Sequence, residues 1–186
     1  MPYSTQLDAA LALAADLHRT QTRKGSDIPY LTHLLAVAGF VGEFGGGEDE
    51  MIAAALHDAP EDQGGLETMN RIRSEFGDRV ATIVEGCSER FDTPKPSWQD
   101  RKAEFIERFR SADHSVMLVV GADKLHNAST IIRDLRRFGD DIWDRFTGKR
   151  DGTLWYYGEI VQTIVDSEHH PDLSTELELV IQQMQT

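Results

Sequence analysis

Apolar positions recur at helical spacing along most of the chain. Leu7, Ala10, Leu11, Ala14 and Leu17 share one face of a predicted helix over Leu7 to Thr20. The polar stretch TRKGSDIPY interrupts it, with Gly25 and Pro29 as breakers. A second helix is predicted from Leu31 to Phe44, closed by Gly45-Gly46-Gly47. Glu48, Asp49 and Glu50 then stand where carboxylates favour a helix start, and the third helix is predicted to run through His57-Asp58 until Gln63-Gly64-Gly65. Glu67 to about Glu89 reads as one or two helices interrupted near Gly77, FDTPKPSW as a loop, and Gln99 to Arg110 as an amphipathic helix. From His114 to Phe138 the apolar run VMLVVGA passes into a long helical pattern, which favours helix over a buried strand. Gly139 ends it, Ile142 to Phe146 is short, and helices over Gly152 to Glu168 and Thr175 to Gln185 complete the chain. No hairpin signal, internal repeat or linker stands out. The expectation is an all-α protein of about eight to ten helices, residues 1–186 forming one domain.

Composition narrows the partners. A chain of 186 residues, 40% hydrophobic and 27% charged, suits one domain with a real core. A formal net charge of -13 disfavours a nucleic-acid surface, yet a local basic pocket for a small anion remains compatible with it. Cys87 is the only cysteine, which excludes an intramolecular disulfide and fits a cytoplasmic location. The start MPYSTQLDAA lacks the basic and apolar regions of a signal peptide, and no stretch approaches the ~18 apolar residues of a membrane span.

The densest chemistry lies in AAALHDAPED, Ala53 to Asp62. An apolar run leads into His57-Asp58, and Glu61 and Asp62 follow two residues later. Burying an imidazole and three carboxylates costs several kcal/mol per uncompensated charge, and a metal ion is the simplest compensation. Adjacent residues leave a helix about 100° apart, so other helices must complete the shell. His33, set in a mostly apolar helix, and Asp123, directly after VMLVVGA, are the candidates. Two imidazoles and two carboxylates suit Mn²⁺ or Fe²⁺ better than Zn²⁺. Glu61 and Asp62 lie one turn beyond His57 and Asp58, where a carboxylate can take or give a proton. An HD dipeptide alone is more often structural; HDxxED after an apolar run, with the second block at Asp123, is far more specific. Trp155, Tyr156 and Tyr157 are consecutive and cannot share a helix face, so the core and a pocket divide them. His126 reads as a satisfied core imidazole rather than a ligand, His18 as a supporting or structural residue, and His169 and His170 as surface.

These residues match a family pattern. THLLAVAGFVGEFGGGEDEMIAAALHDAPED, with GADKLHNAST downstream, resembles the HD-domain hydrolases of the RelA/SpoT-homologue type. LHRTQTRKGSDIPYLTH looks like that family's approach to its first metal-binding histidine, and GTLWYYGEIVQTI looks like its small, single-domain alarmone hydrolases. The resemblance runs from about His18 to Thr130. It implies an HD-domain helical bundle in which His33, His57, Asp58 and Asp123 bind a metal, usually Mn²⁺, while Glu61 and Asp62 position and activate water. Arg23 and Lys24 would border the nucleotide, and Lys124, Asn127 and Thr130 would contact it further along. The implied reaction removes the 3′-pyrophosphate of (p)ppGpp or a related alarmone.

The chain departs from the pattern in places. Leu34 follows His33 where many members have proline. Lys124 and Ser129 stand where long relatives often carry arginine, which leaves an adenine alarmone such as ppApp open beside the guanine one. Lys95, Arg101 and Lys102 are candidates for the 5′-phosphates, or a solvated basic helix start. No synthetase domain fits this length. Two other readings compete: an HD phosphatase acting on a nucleoside monophosphate or NADPH, and a non-catalytic nucleotide-binding module. The complete set of ligands and acids argues against the module. The expected partner is thus a small nucleotide, not nucleic acid or membrane, with a homo-oligomer left open.

Overall fold

The computed structural model describes residues 3–89 and 96–185. Phe91 to Lys95 of the predicted loop, and with them any role of Lys95, lie outside the described residues. Ser4 caps the first helix, α1 (Thr5–Leu17), by accepting the Gln6 N–H at 3.1 Å. Its own hydroxyl donates to Glu48 at 2.7 Å, which ties the start of α1 to the start of α3. Leu7, Ala10, Leu13 and Ala14 are the face that α1 buries.

Helices α2 (Leu31–Glu43) and α3 (Glu48–Leu56) pack on each other and on α1. The glycine run lets the chain reverse between α2 and α3. Gly45 takes φ +87°, and a Cβ on Gly46 would lie 2.5 Å from Val41 Cγ1 and 2.8 Å from the Val41 carbonyl. Part of that clash is with backbone and cannot be relieved by a rotamer. Gly46→Ala is therefore expected to lower stability by roughly 1–3 kcal/mol in urea unfolding, as overpacking does.

Contrary to expectation, the third helix does not run through His57-Asp58. It ends at Leu56, the pair forms a turn, and the short α4 (Ala59–Asp62) follows. Pro60 has no N–H to offer the Leu56 carbonyl and sits instead in the first turn of α4, where proline is tolerated. Helix α5 (Leu66–Cys87) is kinked at Gly77, φ +87°, ψ 171°, as its sequence predicts.

Helix α6 spans Trp98–Phe109 and α7 spans His114–Phe138. The apolar run of α7 is indeed helix, capped by Asp113 and buried almost continuously from Ser115 to Asp123. Around α7 pack α2, α3, α5, α8 (Lys149–Asp166) and α9 (Pro171–Gln185), with a 3₁₀ turn over Gly139–Arg145 leading into α8. The protein is an all-α bundle. Among the described residues no helix is long and apolar enough to cross a membrane.

Candidate metal centre and adjoining cleft

Three segments deliver the donors. His33 projects from the first turn of α2, His57 and Asp58 from the turn created by Pro60, and Asp123 from the middle of α7. Asp58 Oδ2 lies 3.0 Å from His57 Nε2 and 3.5 Å from His33 Nε2. Asp123 Oδ1 lies 3.2 Å from His33 Nε2 and 3.8 Å from His57 Nε2. Donors bonded to one first-row cation at about 2.1 Å stand roughly 3–3.5 Å apart, so the spacing of His33, His57 and Asp58 fits a shared ion, with Asp123 beside them.

The hydrogen bonds support the same reading. His57 Nδ1 donates to the Ala54 carbonyl at 2.8 Å, leaving Nε2 as a lone pair aimed at the carboxylates. His33 Nδ1 meets His126 Nδ1 at 2.7 Å, and with His33 as donor its Nε2 is likewise free. Both imidazoles are buried, and neither Nε2 makes a hydrogen bond. Two buried, unpaired lone pairs facing two carboxylates are costly unless a cation lies between them. Burial opposes charge on His57, Asp58 and Asp123. Without a cation the Asp58 and Asp123 carboxylates nonetheless favour a proton on the His57 imidazole and raise it well above its ordinary range; a bound cation would take that proton's place. His57 and His33 in turn hold the Asp58 carboxyl well below its own, and Lys124 does the same for Asp123. The carboxylates are thus ionised, as ligands must be.

Half-buried side chains bond these candidate ligands from behind. Tyr30 donates its hydroxyl to Asp58 Oδ2 at 2.6 Å and stacks on His18, ring centroids 5.2 Å apart. Asn127 Nδ2 donates to Asp123 Oδ1 at 2.5 Å, and Lys124 Nζ to Asp123 Oδ2 at 2.6 Å. His126 backs His33; burial, then the nearby His33 and Arg23, push its pKa down to about 4, so it is a neutral partner.

The donors open onto a cavity of about 140 Å³ whose wall includes Tyr30, Glu61, Glu89, Lys102, Lys124 and Asn127. Glu61 accepts the Glu89 backbone N–H at 2.6 Å through Oε1. Burial, and next the carboxylates of Asp58 and Glu89, raise its pKa against that hydrogen bond. Glu89 itself is clasped by Lys102 at 2.6 Å and Arg101 at 2.7 Å. Tyr30 and Asn127 also line a larger cleft of about 510 Å³, bounded by Arg23, Lys24, Thr130, Arg145 and Tyr157. A third cavity of about 210 Å³ shares Lys24 and Tyr157 with the cleft, and Lys102, Lys124 and Tyr156 with the metal cavity. The three adjoin one another along these shared side chains, and together form the groove region.

The sequence candidates divide accordingly. His33, His57, Asp58, Asp123, Glu61, Lys102, Lys124 and Asn127 meet at the metal cavity, and Arg23, Lys24 and Thr130 line the cleft. Asp62 does not join them: it is exposed, accepts a hydrogen bond from Gln21 at 2.8 Å and lies outside the lining of the cavities. Arg101 is spent on Glu89 and the Pro96 carbonyl. Ser129 is exposed and donates to the Leu125 carbonyl. Tyr156 and Tyr157 both reach the groove, whereas Trp155 packs on Trp98. Sequence reasoning passed over Tyr30 and Glu89. Tyr30 lies one turn before His33, a spacing that could have marked it. Glu89 lies 28 residues from Glu61, and no local pattern links them.

Comparison with known proteins agrees with this architecture. Residues 10–154 match the HD domain family. Over 125 residues, 66% of this chain, it is 36% identical to a probable guanosine-3′,5′-bis(diphosphate) 3′-pyrophosphohydrolase of Synechocystis sp., of which it covers 16%. Over 132 residues, 68% of this chain, it is 35% identical to the bifunctional (p)ppGpp synthase/hydrolase SpoT of Escherichia coli, of which it covers 18%. The chain thus spans less than a fifth of the length of these curated relatives. Among solved structures it is similar to a metazoan orthologue of SpoT described as hydrolysing ppGpp: TM-score 0.81, 25% identity, 98% of this chain and 97% of that one. It is also similar to a Listeria monocytogenes EGD-e protein: TM-score 0.71, 31% identity, 83% of this chain and 99% of that one. With the family match covering most of its residues and the His-His-Asp cluster in place, the chain belongs to the HD-domain family.

Proposed function

We propose that this chain hydrolyses the 3′-pyrophosphate of nucleotide alarmones, with Mn²⁺ as its cation. The observation that carries the reading is the junction of the two cavities. Tyr30 and Asn127 line both the donor cavity and the large cleft, so a nucleoside in the cleft directs its 3′ substituent at His33, His57, Asp58 and Asp123. The activities named for the Synechocystis and metazoan relatives support the same reading.

A divalent cation held by those four residues would polarise a phosphoryl oxygen and acidify a water molecule. In this reading Glu61 takes the proton of the attacking water; its Oε1 bond to the Glu89 N–H and its place in the cavity wall support that role. Asp62 contributes from outside, by holding Gln21, which also bonds the His18 imidazole at 2.8 Å. The bond from phosphorus to the 3′ oxygen breaks, that oxygen takes up a proton, and pyrophosphate leaves intact. Lys102 and Lys124 neutralise the pyrophosphate, each lying near the Tyr156 ring. Arg23 and Lys24 border the nucleoside, and Asn127 and Thr130 face its ribose side. Ser129 brings no charge to the cleft, so guanine and adenine alarmones are both accepted in this reading.

A metal-supplemented panel of nucleotides with product identification tests the proposal. Intact pyrophosphate released from ppGpp or ppApp is the expected result. Orthophosphate released from nucleoside monophosphates or NADPH, with both alarmones untouched, would replace it with a phosphatase. Tight alarmone binding without turnover in Mn²⁺ would reduce the chain to a binding module.

A further inference from the structure

The two carboxylate ligands of the metal centre come from distant parts of the chain, yet both are steered through one residue that touches neither. Arg23 Nη2 donates to Asn127 Oδ1. That bond sets the amide so that Nδ2 faces Asp123 Oδ1, the oxygen nearest to both ligand imidazoles. The same guanidinium lies over the Tyr30 ring, 5.4 Å from its centroid, and Tyr30 donates to Asp58 Oδ2. Arg23 stands in a short loop held by Arg23 N–H to the Ile28 carbonyl at 2.8 Å and Tyr30 N–H to the Gln21 carbonyl at 2.9 Å, so its position is determined by backbone.

We infer that Arg23 is a positioning residue for the metal site: through Asn127 and Tyr30 it orients Asp123 and Asp58 for the cation before any nucleotide arrives. The inference rests on the metal-centre reading above. It also makes metal and nucleotide binding interdependent, because Arg23 lines the nucleoside cleft and a group shared by two sites couples them reciprocally.

Charge and geometry predict opposite signs, which makes the inference testable. Removing a nearby positive charge should by itself tighten cation binding. Losing a group that orients the ligands should weaken it, roughly 10–100-fold in comparable shells. The experiment is calorimetric titration of Mn²⁺ into the protein without nucleotide, for wild type, Arg23→Ala, Arg23→Lys, Asn127→Ala and the double variant Arg23→Ala/Asn127→Ala, with thermal melts of the metal-free proteins as a folding control. Arg23→Ala is expected to bind Mn²⁺ roughly 10-fold more weakly. Arg23→Lys keeps the charge but not the planar fork, so it should fall between Arg23→Ala and wild type. The Asn127 arm is shared, so the double variant should lose much less than the product of the two single losses. Unchanged or tighter binding in Arg23→Ala, or fully multiplicative losses in the double variant, would overturn the inference. If Arg23→Ala does not fold, Arg23→Lys decides: wild-type affinity overturns it. Absence of saturable Mn²⁺ binding to wild type would instead overturn the metal centre itself.

Discussion

Asp58→Ala should lose metal and activity together. Asp58 Oδ2 is within 3.5 Å of both imidazoles, and its removal leaves His33, His57 and Asp123 of the candidate donors among the described residues. Wild type at Mn²⁺ a hundredfold above its dissociation constant gains about 2.7 kcal/mol of stability from binding. For a chain of this size that is a rise in melting temperature of roughly 5–10 °C. Asp58→Ala should show almost none of it. Turnover should fall by ~10³-fold or more, since a catalytic metal supplies several kcal/mol of transition-state stabilisation. Differential scanning fluorimetry with and without Mn²⁺, beside a pyrophosphate-release assay, reads both effects. A full Mn²⁺-induced shift in Asp58→Ala would mean that the cation sits elsewhere.

Glu61→Gln should separate what Asp58→Ala joins. Glutamine keeps the length and the acceptor for the Glu89 N–H, so the cavity wall and the metal ligands stay in place. It cannot take a proton, and turnover should drop ~10²–10⁴-fold while the Mn²⁺-induced melting shift persists. The pH profile gives a second readout. Burial, with the Asp58 and Glu89 carboxylates, holds the Glu61 pKa above the ordinary glutamate value. The basic form is lost as pH falls through the Glu61 pKa, so kcat/KM should show an acid limb, which a bound cation shifts downward from its metal-free position. The limb should vanish in Glu61→Gln. Retained activity with an unchanged limb would assign the proton transfer to another group.

Much of this arrangement is legible in the chain because it is local. The helical spacing of apolar residues, the glycine run after α2 and the kink glycine of α5 act within a few residues, and the structure follows them. The polarity of HDxxED against an apolar helix face is equally local, and it nominates the candidate metal donors from the sequence. The error at His57-Asp58 has a local cause as well: Pro60 removes one N–H from the ladder, and the helix ends a turn early. That break bears on the acids. One turn of ideal helix would keep Glu61 and Asp62 beside the ligands, whereas in α4 Glu61 lines the metal cavity and Asp62 turns to solvent and Gln21.

Other features depend on contacts between segments that no pattern in the sequence connects. Glu89 anchors Glu61, Tyr30 bonds Asp58, and Arg23 reaches Asp123 through Asn127, 104 residues further along. Hydrogen bonds of this kind are set by side-chain geometry after the helices have packed, and many residue types at those positions would satisfy the same hydrophobic periodicity. Residue identity and spacing therefore specified the helices and nominated the metal donors. The packing of α2, α4 and α7 around one cavity selected which acid faces it, which lysines line it, and which neighbours bond the candidate ligands. Apolar burial acts over a helix face and tolerates many sequences, whereas a bond to one carboxylate oxygen exists only once two distant backbones are fixed to within an ångström or so.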